Sequence, residues 1–307
     1  MALRILAADY GDPEAVLQIV DQPVPEPDDG DVVVRVRSAG VNPFDAKQVR
    51  GLVGADPAKL PLSIGGEAAG VVHAAGASSG FRPGEEVVVY PATGAFAEFL
   101  VAPAAHVHRK PADLGFNEAS ALLLAGVTAA DILATLELTA DDVLLVHGGA
   151  GAVGSIVVSR AVTAGATVIA TASPANHVHL RSLGAVPVAY DGDLLAAVRT
   201  AMPSPVTAVA DTVGTDQAID VSLALVPADR IVSIAAWGLT GEGITMVDGS
   251  TPASRRNRRE AIAGLLDDAA AGRLAVEIGG TFPLQDTAAA LSALGGHRPR
   301  GKLIIHP

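Results

Sequence analysis

The 307-residue chain has no cysteine. That absence excludes disulfides, a thiol nucleophile and every zinc site that needs thiolate ligands. Positive charge is scarce as well, with 21 Lys and Arg against 33 Asp and Glu and a net charge of −12. Nucleic acid and anionic membranes both reward clustered cations, so neither is expected as a partner. The first twelve residues, MALRILAADYGD, carry Arg4 and Asp9 and leave no apolar run long enough for a signal peptide. The most apolar later stretch, residues 121–138, contains Asp131 and Glu137, charges that a membrane span rarely tolerates. The expectation is a cytoplasmic protein without internal repeats or low-complexity linkers.

Half of the residues are apolar, enough to bury the two cores that a chain of this length suggests. Two textures divide the sequence. The first 110 residues are rich in Val, Gly and Pro, and alternating runs such as DVVVRVRSAG (31–40) and EEVVVYP (85–91) lie between turn signals; these read as strands of a small antiparallel barrel or sandwich. From about residue 121, apolar strands alternate with Ala-rich amphipathic segments, the pattern of βαβ units around a parallel sheet. Expected strands are 142–147, 167–172, 185–190, 207–213 and 230–236, and a last strand, KLIIH, follows a return to Gly and Pro texture. The fold class is therefore α/β, and the last segment could complete the first domain.

The stretch HGGAGAVGS (147–155) follows the first of those strands and opens a helix. Gly149, Gly151 and Gly154 satisfy G-x-G-x-x-G, and Ala150, Ala152 and Val153 complete the loop. The first glycine is expected to allow a tight turn, the second to let backbone approach a pyrophosphate, and the third to permit close packing of helix on strand. Backbone N–H groups at the helix start would then hold the negative charge. NAD-binding proteins place a carboxylate about 20 residues beyond such a loop to bond the ribose 2′-OH. This chain reads TASPANHVHLR (171–181) there, without a carboxylate; Ser173, Asn176, His177 and Arg181 can instead donate to a 2′-phosphate. NADPH is the expected cofactor, although Ser173 also suits a helix N-cap and Arg181 a solvated helix face.

The order of RSAGVNPFDAK (37–47), IGGEAAGVV (64–72), FRPGEEVVV (81–89), GAFAEFLVAP (94–103), AGVTAADIL (125–133), LLVHGGAGAVG (144–154), LRSLGA (180–185), ADTVG (210–214) and GKLII (301–305) resembles the medium-chain dehydrogenase/reductase superfamily, in its zinc-independent quinone oxidoreductase branch. The resemblance implies a GroES-like β-barrel catalytic domain, residues 1–120 and 274–307, and a Rossmann doubly wound domain, residues 121–273. Zinc-dependent members carry a ligand Cys after the A-G dipeptide and a G-H-E motif, whereas this chain has Asn42 and Gly65-Gly66-Glu67; neither Asn nor Gly replaces a thiolate or imidazole on zinc. The resemblance also implies that Thr128 meets the nicotinamide amide and that Tyr190 lies on the 2′-phosphate side. It puts Val213, Ala235, Ala236, Trp237 and Lys302 on the cofactor side, and Asn42, Asp45 and Lys47 on the substrate side. Many quinone reductases have Tyr where this chain has Lys47, which resembles the enone-reducing subgroup.

The implied reaction is metal-free hydride transfer from NADPH to a small quinone or α,β-unsaturated carbonyl, with Lys47, oriented by Asp45, or solvent supplying the proton. Lys47 could equally be an exposed lysine or a cofactor-ribose contact. Two other readings remain open: a non-catalytic NADPH-binding protein, crystallin-like or redox-sensing, and an enoyl reductase on thioesters. No metal site is expected: His177 and His179 are two apart on an expected helix and face different directions, and His106 and His108, which could share a strand face, have no carboxylate cluster with them. The basic run SRRNRRE (254–260) reads as a solvated loop entering a helix. The family implies a homodimer formed edge to edge near IVSIAAWG or ITMVDG.

Overall fold

The computed structural model describes residues 1–202, 204–238, 243–295 and 300–307. The chain divides into two compact units, Met1–Leu124 with Leu265–Pro307, and Ala125–Gly264. Both boundaries fall inside helices, Phe116–Leu136 and Pro252–Ala270, four residues after the expected 120/121 boundary and nine before the expected 273/274 one. The first of these helices is long and apolar enough to cross a membrane by length and composition, yet 72% of its most apolar window is buried within the protein.

The unit made from the two chain ends is built on a seven-stranded sheet. Its central strand, Asp31–Val41, pairs antiparallel with Ala68–Ala75, with Phe99–Pro103 and with the last strand, Lys302–His306. The C-terminal strand thus enters the sheet begun by the N-terminal residues. Valines at 32, 34 and 36 alternate along the central strand and face one core with Phe96, Ile64, Leu100 and Ile305; of the residues between them Arg35 is exposed, whereas Val33 is buried as well.

The second unit carries a parallel sheet in the order Val186–Val188, Thr167–Thr171, Val143–His147, Ala208–Asp211, Ile231–Ser233, Thr245–Met246. Numbered along the chain this is 3-2-1-4-5-6, the doubly wound Rossmann order, whose crevice lies beyond the carboxyl ends of the strands at the reversal point. The first strand is at that point and is buried throughout. The helix Ala152–Thr163 buries Ile156, Val157, Val158 and Ala161, and Gly165, at φ +94°, ends it. Beyond the second strand, Ser173 precedes Pro174 in a short 3₁₀ turn before the helix His177–Ser182.

Candidate functional site

In the Rossmann unit the first strand runs directly into the glycine loop. The residue that takes the left-handed turn is Gly148, at φ +76°, and not the Gly149 expected from the motif. Gly149 is bare for packing: a Cβ there would lie 2.6 Å from Ala170 Cβ on the neighbouring strand. At Gly154 a Cβ would lie 2.2 Å from Gly148 O, so this glycine closes the helix onto the turn. Gly151 is exposed, and a Cβ there would meet only Gly148 O, at 3.3 Å. The loop is anchored to the second strand by Gly149 N–H donating to Thr171 O at 2.9 Å and Gly148 N–H to Thr171 Oγ1 at 3.1 Å. The first-turn N–H groups of Ala152, Val153 and Gly154 then point out of the helix start without an intrahelical acceptor.

The other expected cofactor residues follow the ends of the remaining strands. Ser173 is half-buried and accepts a hydrogen bond from Asn176 Nδ2 at 3.1 Å. His177 Nε2 is 3.2 Å from Ala172 O, and Arg181 is exposed. Tyr190, Val213 and Trp237 are large side chains left 52%, 45% and 54% exposed at strand ends, and Ala235 is half-buried beside the buried Ala236. Exposed apolar groups around a phosphate-binding turn suit the flat faces of a dinucleotide.

Two buried carboxylates shape these ends, and neither was singled out from sequence. Asp211, at 0% exposure, accepts from Val213 N–H (3.1 Å), Gly214 N–H (3.0 Å) and Ser233 Oγ (2.6 Å). It thereby fixes the turn that presents Val213. Below the loop, burial lowers the His147 pKa to about 4 against the opposing pull of Asp211, so the ring is neutral at physiological pH. Asp131, also at 0% exposure, accepts from Ser254 Oγ, from Asn257 Nδ2 at 3.1 Å and from Arg258 Nε at 2.9 Å. Arg258 also reaches Thr128 Oγ1 (3.3 Å) and Val247 O (3.2 Å). The basic run 254–260 is therefore helical, not a solvated loop. Three of its residues, one per helical turn or adjacent to it, close on a single carboxylate beside Thr128.

In the catalytic unit Asn42 precedes the helix Pro43–Val49. Its Nδ2 donates to Glu67 Oε1 (3.0 Å) and Gly40 O (3.3 Å), and its Oδ1 accepts from Lys302 Nζ. Lys302 also donates to Glu67 Oε1 at 2.8 Å, and Leu124 N–H to Glu67 Oε2 at 2.9 Å. The Lys302 ammonium is thus bonded inside this cluster, because a buried carboxylate needs a bonded cation. Gly40 must lack a side chain here, since a Cβ would stand 2.6 Å from Glu67 Oε1 and 2.3 Å from Ser120 O. Asp45 Oδ2 accepts the Asn42 N–H at 2.8 Å. The expected Asp45–Lys47 orientation does not form: residues two apart on a helix face different directions, and Asp45 is buried while Lys47 is half-exposed.

Residues 28–112 match the alcohol dehydrogenase GroES-like domain, and residues 183–305 match the zinc-binding dehydrogenase domain. A quinone oxidoreductase from Pseudomonas syringae is 31% identical over 100% of both chains, with a TM-score of 0.87. A mycobacterial protein solved in complex with NADPH is 29% identical over 100% of both chains, with a TM-score of 0.86. The NADPH-dependent alkenal/one oxidoreductase of Arabidopsis thaliana is 28% identical over 98% of this chain and 78% of its own. Some curated relatives are matched over far less: for the mouse synaptic vesicle membrane protein VAT-1 homolog-like, 34% identical, the match spans 52% of this chain and 39% of the relative. The chain belongs to the medium-chain dehydrogenase/reductase superfamily, in its zinc-independent quinone oxidoreductase branch.

Proposed function

We propose that this chain is an NADPH-dependent oxidoreductase whose acceptor is a small quinone or α,β-unsaturated carbonyl. The observation that carries the cofactor reading is the phosphate cradle. The exposed, side-chain-free Gly151 stands at the start of a 12-residue helix, and the segment after the second strand has donors and no carboxylate. Ala150, Gly151, Ala152 and Val153 would hold the pyrophosphate on backbone N–H groups. Ser173, His177, Arg181 and Tyr190 would hold the 2′-phosphate side. Thr128, Val213, Ala235, Ala236 and Trp237 would hold the nicotinamide side. When bound, NADPH supplies a hydride. The chain's own work is to hold the acceptor and to stabilise the charge that develops on its oxygen. Lys47, the half-exposed cation of the helix Pro43–Val49, is the hydrogen-bond donor assigned to that oxygen. Asn42, its amide engaged by Lys302 and Glu67, holds the substrate-side helix in place.

The mycobacterial relative's NADPH complex and the Arabidopsis relative's activity support the cofactor and the acceptor class. Within the sheet, Ile231–Ser233 is paired on both sides, whereas Thr245–Met246 is an edge among the described residues. We assign the proposed homodimer contact to that edge, and light scattering of the purified chain checks it. The function itself is tested by NADPH oxidation against 1,4-benzoquinone, 9,10-phenanthrenequinone and short-chain 2-enones. Turnover with at least one class supports the assignment. Tight NADPH binding with no turnover by any of them would assign a binding protein instead.

A further inference from the structure

Asp45, Glu67 and Lys302 are 1%, 0% and 6% exposed, so two carboxyl groups share one ammonium inside the catalytic unit. The ammonium is bonded to Glu67, at 2.8 Å. Glu67 also takes Asn42 Nδ2 and Leu124 N–H, which satisfies it as an anion. Asp45 has the Asn42 N–H and no cation bonded to it. Two helices packed on Pro43–Val49 are Pro13–Val16 and Thr287–Ala293, and the titratable side chain they bring is Glu14, which is exposed. Charge balance in a low-dielectric interior therefore favours a proton on Asp45. Burial first, and Glu67 second, raise its pKa to about 7, against the opposing pull of the Asn42 N–H, Lys302 and the Asn42 side chain. The space that a side chain would fill at half-buried Gly66 lies beside this carboxyl: a Cβ there would stand 3.8 Å from Asp45 Oδ1 and 3.4 Å from Leu124 Cδ1.

We propose that Asp45 is the proton donor of the reduction, delivering its carboxyl proton past the bare backbone of Gly66 to the reduced acceptor; the proposal rests on the hydride-transfer reading above. In the reduction of a conjugated ketone a C–H bond of the dihydronicotinamide breaks. Its electron pair forms a C–H bond at the β-carbon, and the alkene electrons move toward the carbonyl. The Asp45 O–H bond breaks, its proton joins the enolate, and the remaining carboxylate is reprotonated from water. A quinone takes the same hydride and the same proton to become a hydroquinone.

The test has two readouts. In the protein without cofactor, ¹³C-carboxyl NMR of aspartate-labelled chain should show a carboxyl titrating near neutral pH that is missing in Asp45→Asn. In turnover, wild-type kcat should fall as pH rises through neutrality. Asp45→Asn should have a flat profile, with kcat at pH 6 at least tenfold lower and NADPH affinity within twofold, in keeping with the 10²–10⁴-fold typical of general acids. Gly66→Ala should keep the NMR titration and lose kcat, and it decides the matter if Asp45→Asn does not fold. The proposal is overturned if no carboxyl titrates near neutrality, or if either variant keeps wild-type kcat and pH profile. A wild-type chain inert to every acceptor would remove the hydride-transfer reading and the delivery step with it, while the NMR titration would still report whether Asp45 holds the proton.

Discussion

Gly151 and Gly154 stand three residues apart in one motif, yet alanine at the two positions should fail in different ways. At Gly154 a methyl would sit 2.2 Å from Gly148 O and 2.9 Å from both Gly148 C and Gly149 Cα. All three are backbone atoms of the turn, so none can rotate away. Overpacking of this kind costs about 1–3 kcal/mol or more, which exceeds the roughly 1 kcal/mol that alanine gains over glycine inside a helix. At Gly151 the backbone is φ −74°, ψ 169°, ordinary for any residue, and the one close contact is 3.3 Å. Alanine is a poorer N-cap than glycine, a loss of about 0.5–1 kcal/mol. The methyl, however, would project where a pyrophosphate must approach backbone. Urea unfolding and NADPH titration, followed by the fluorescence of the single tryptophan, Trp237, separate the two effects. Gly154→Ala should lose stability. Gly151→Ala should lose no more than about 1 kcal/mol of stability and bind NADPH at least tenfold more weakly, a loss of about 1.4 kcal/mol. If Gly151→Ala binds NADPH as wild type does, the loop is not the cradle.

Three further outcomes follow from the buried charges. Arg258→Met strands Asp131, 0% exposed, without its cation, and should destabilise the Rossmann unit by about 3–5 kcal/mol; Asp131→Leu with Arg258→Met should recover much of that loss, as read by urea unfolding. Burial raises the Asp45 pKa from the ordinary 3.8 to about 7 in the folded chain, so its contribution to stability is full below about pH 4 and is lost as pH rises through 7. The stability of wild type relative to Asp45→Asn should therefore fall by a few kcal/mol at most between pH 4 and 8, and a constant difference would contradict the assigned proton. Asp211→Ala removes the acceptor of the Val213 and Gly214 N–H groups; NADPH should then bind more weakly, since the turn carrying Val213 loses its anchor.

How much of this was legible in the sequence depends on the range of the interactions. The Rossmann strands and the helix after the glycine loop could be read because hydrophobic periodicity and turn glycines act over a few residues. The acid-free TASPANHVHLR was legible for the same reason. The buried carboxylates were not. Lys302 meets Glu67 across 235 positions and Arg258 meets Asp131 across 127, and spacing carries no trace of such pairs. The run SRRNRRE looked solvated because four arginines in seven residues are usually exposed; only the helix reveals that Ser254, Asn257 and Arg258 share the face turned to Asp131. Asp211 had a local signal, an Asp followed by Val213 and Gly214 in ADTVG, which fits a side chain bonding the backbone two residues on. Gly148 was overlooked because the G-x-G-x-x-G pattern starts at the next glycine, although Gly148 takes the positive φ.

The most direct test of the account is to follow the hydrogen itself. NADPH carrying deuterium at the transferred C4 position, incubated with the chain and a 2-enone in ordinary water, should yield a saturated ketone with one deuterium at the β-carbon and a solvent-derived hydrogen at the α-carbon. The same label with wild-type chain and no deuterium in the product, or reduction that proceeds equally well in Gly151→Ala at low NADPH, would contradict hydride transfer from a dinucleotide held by this loop.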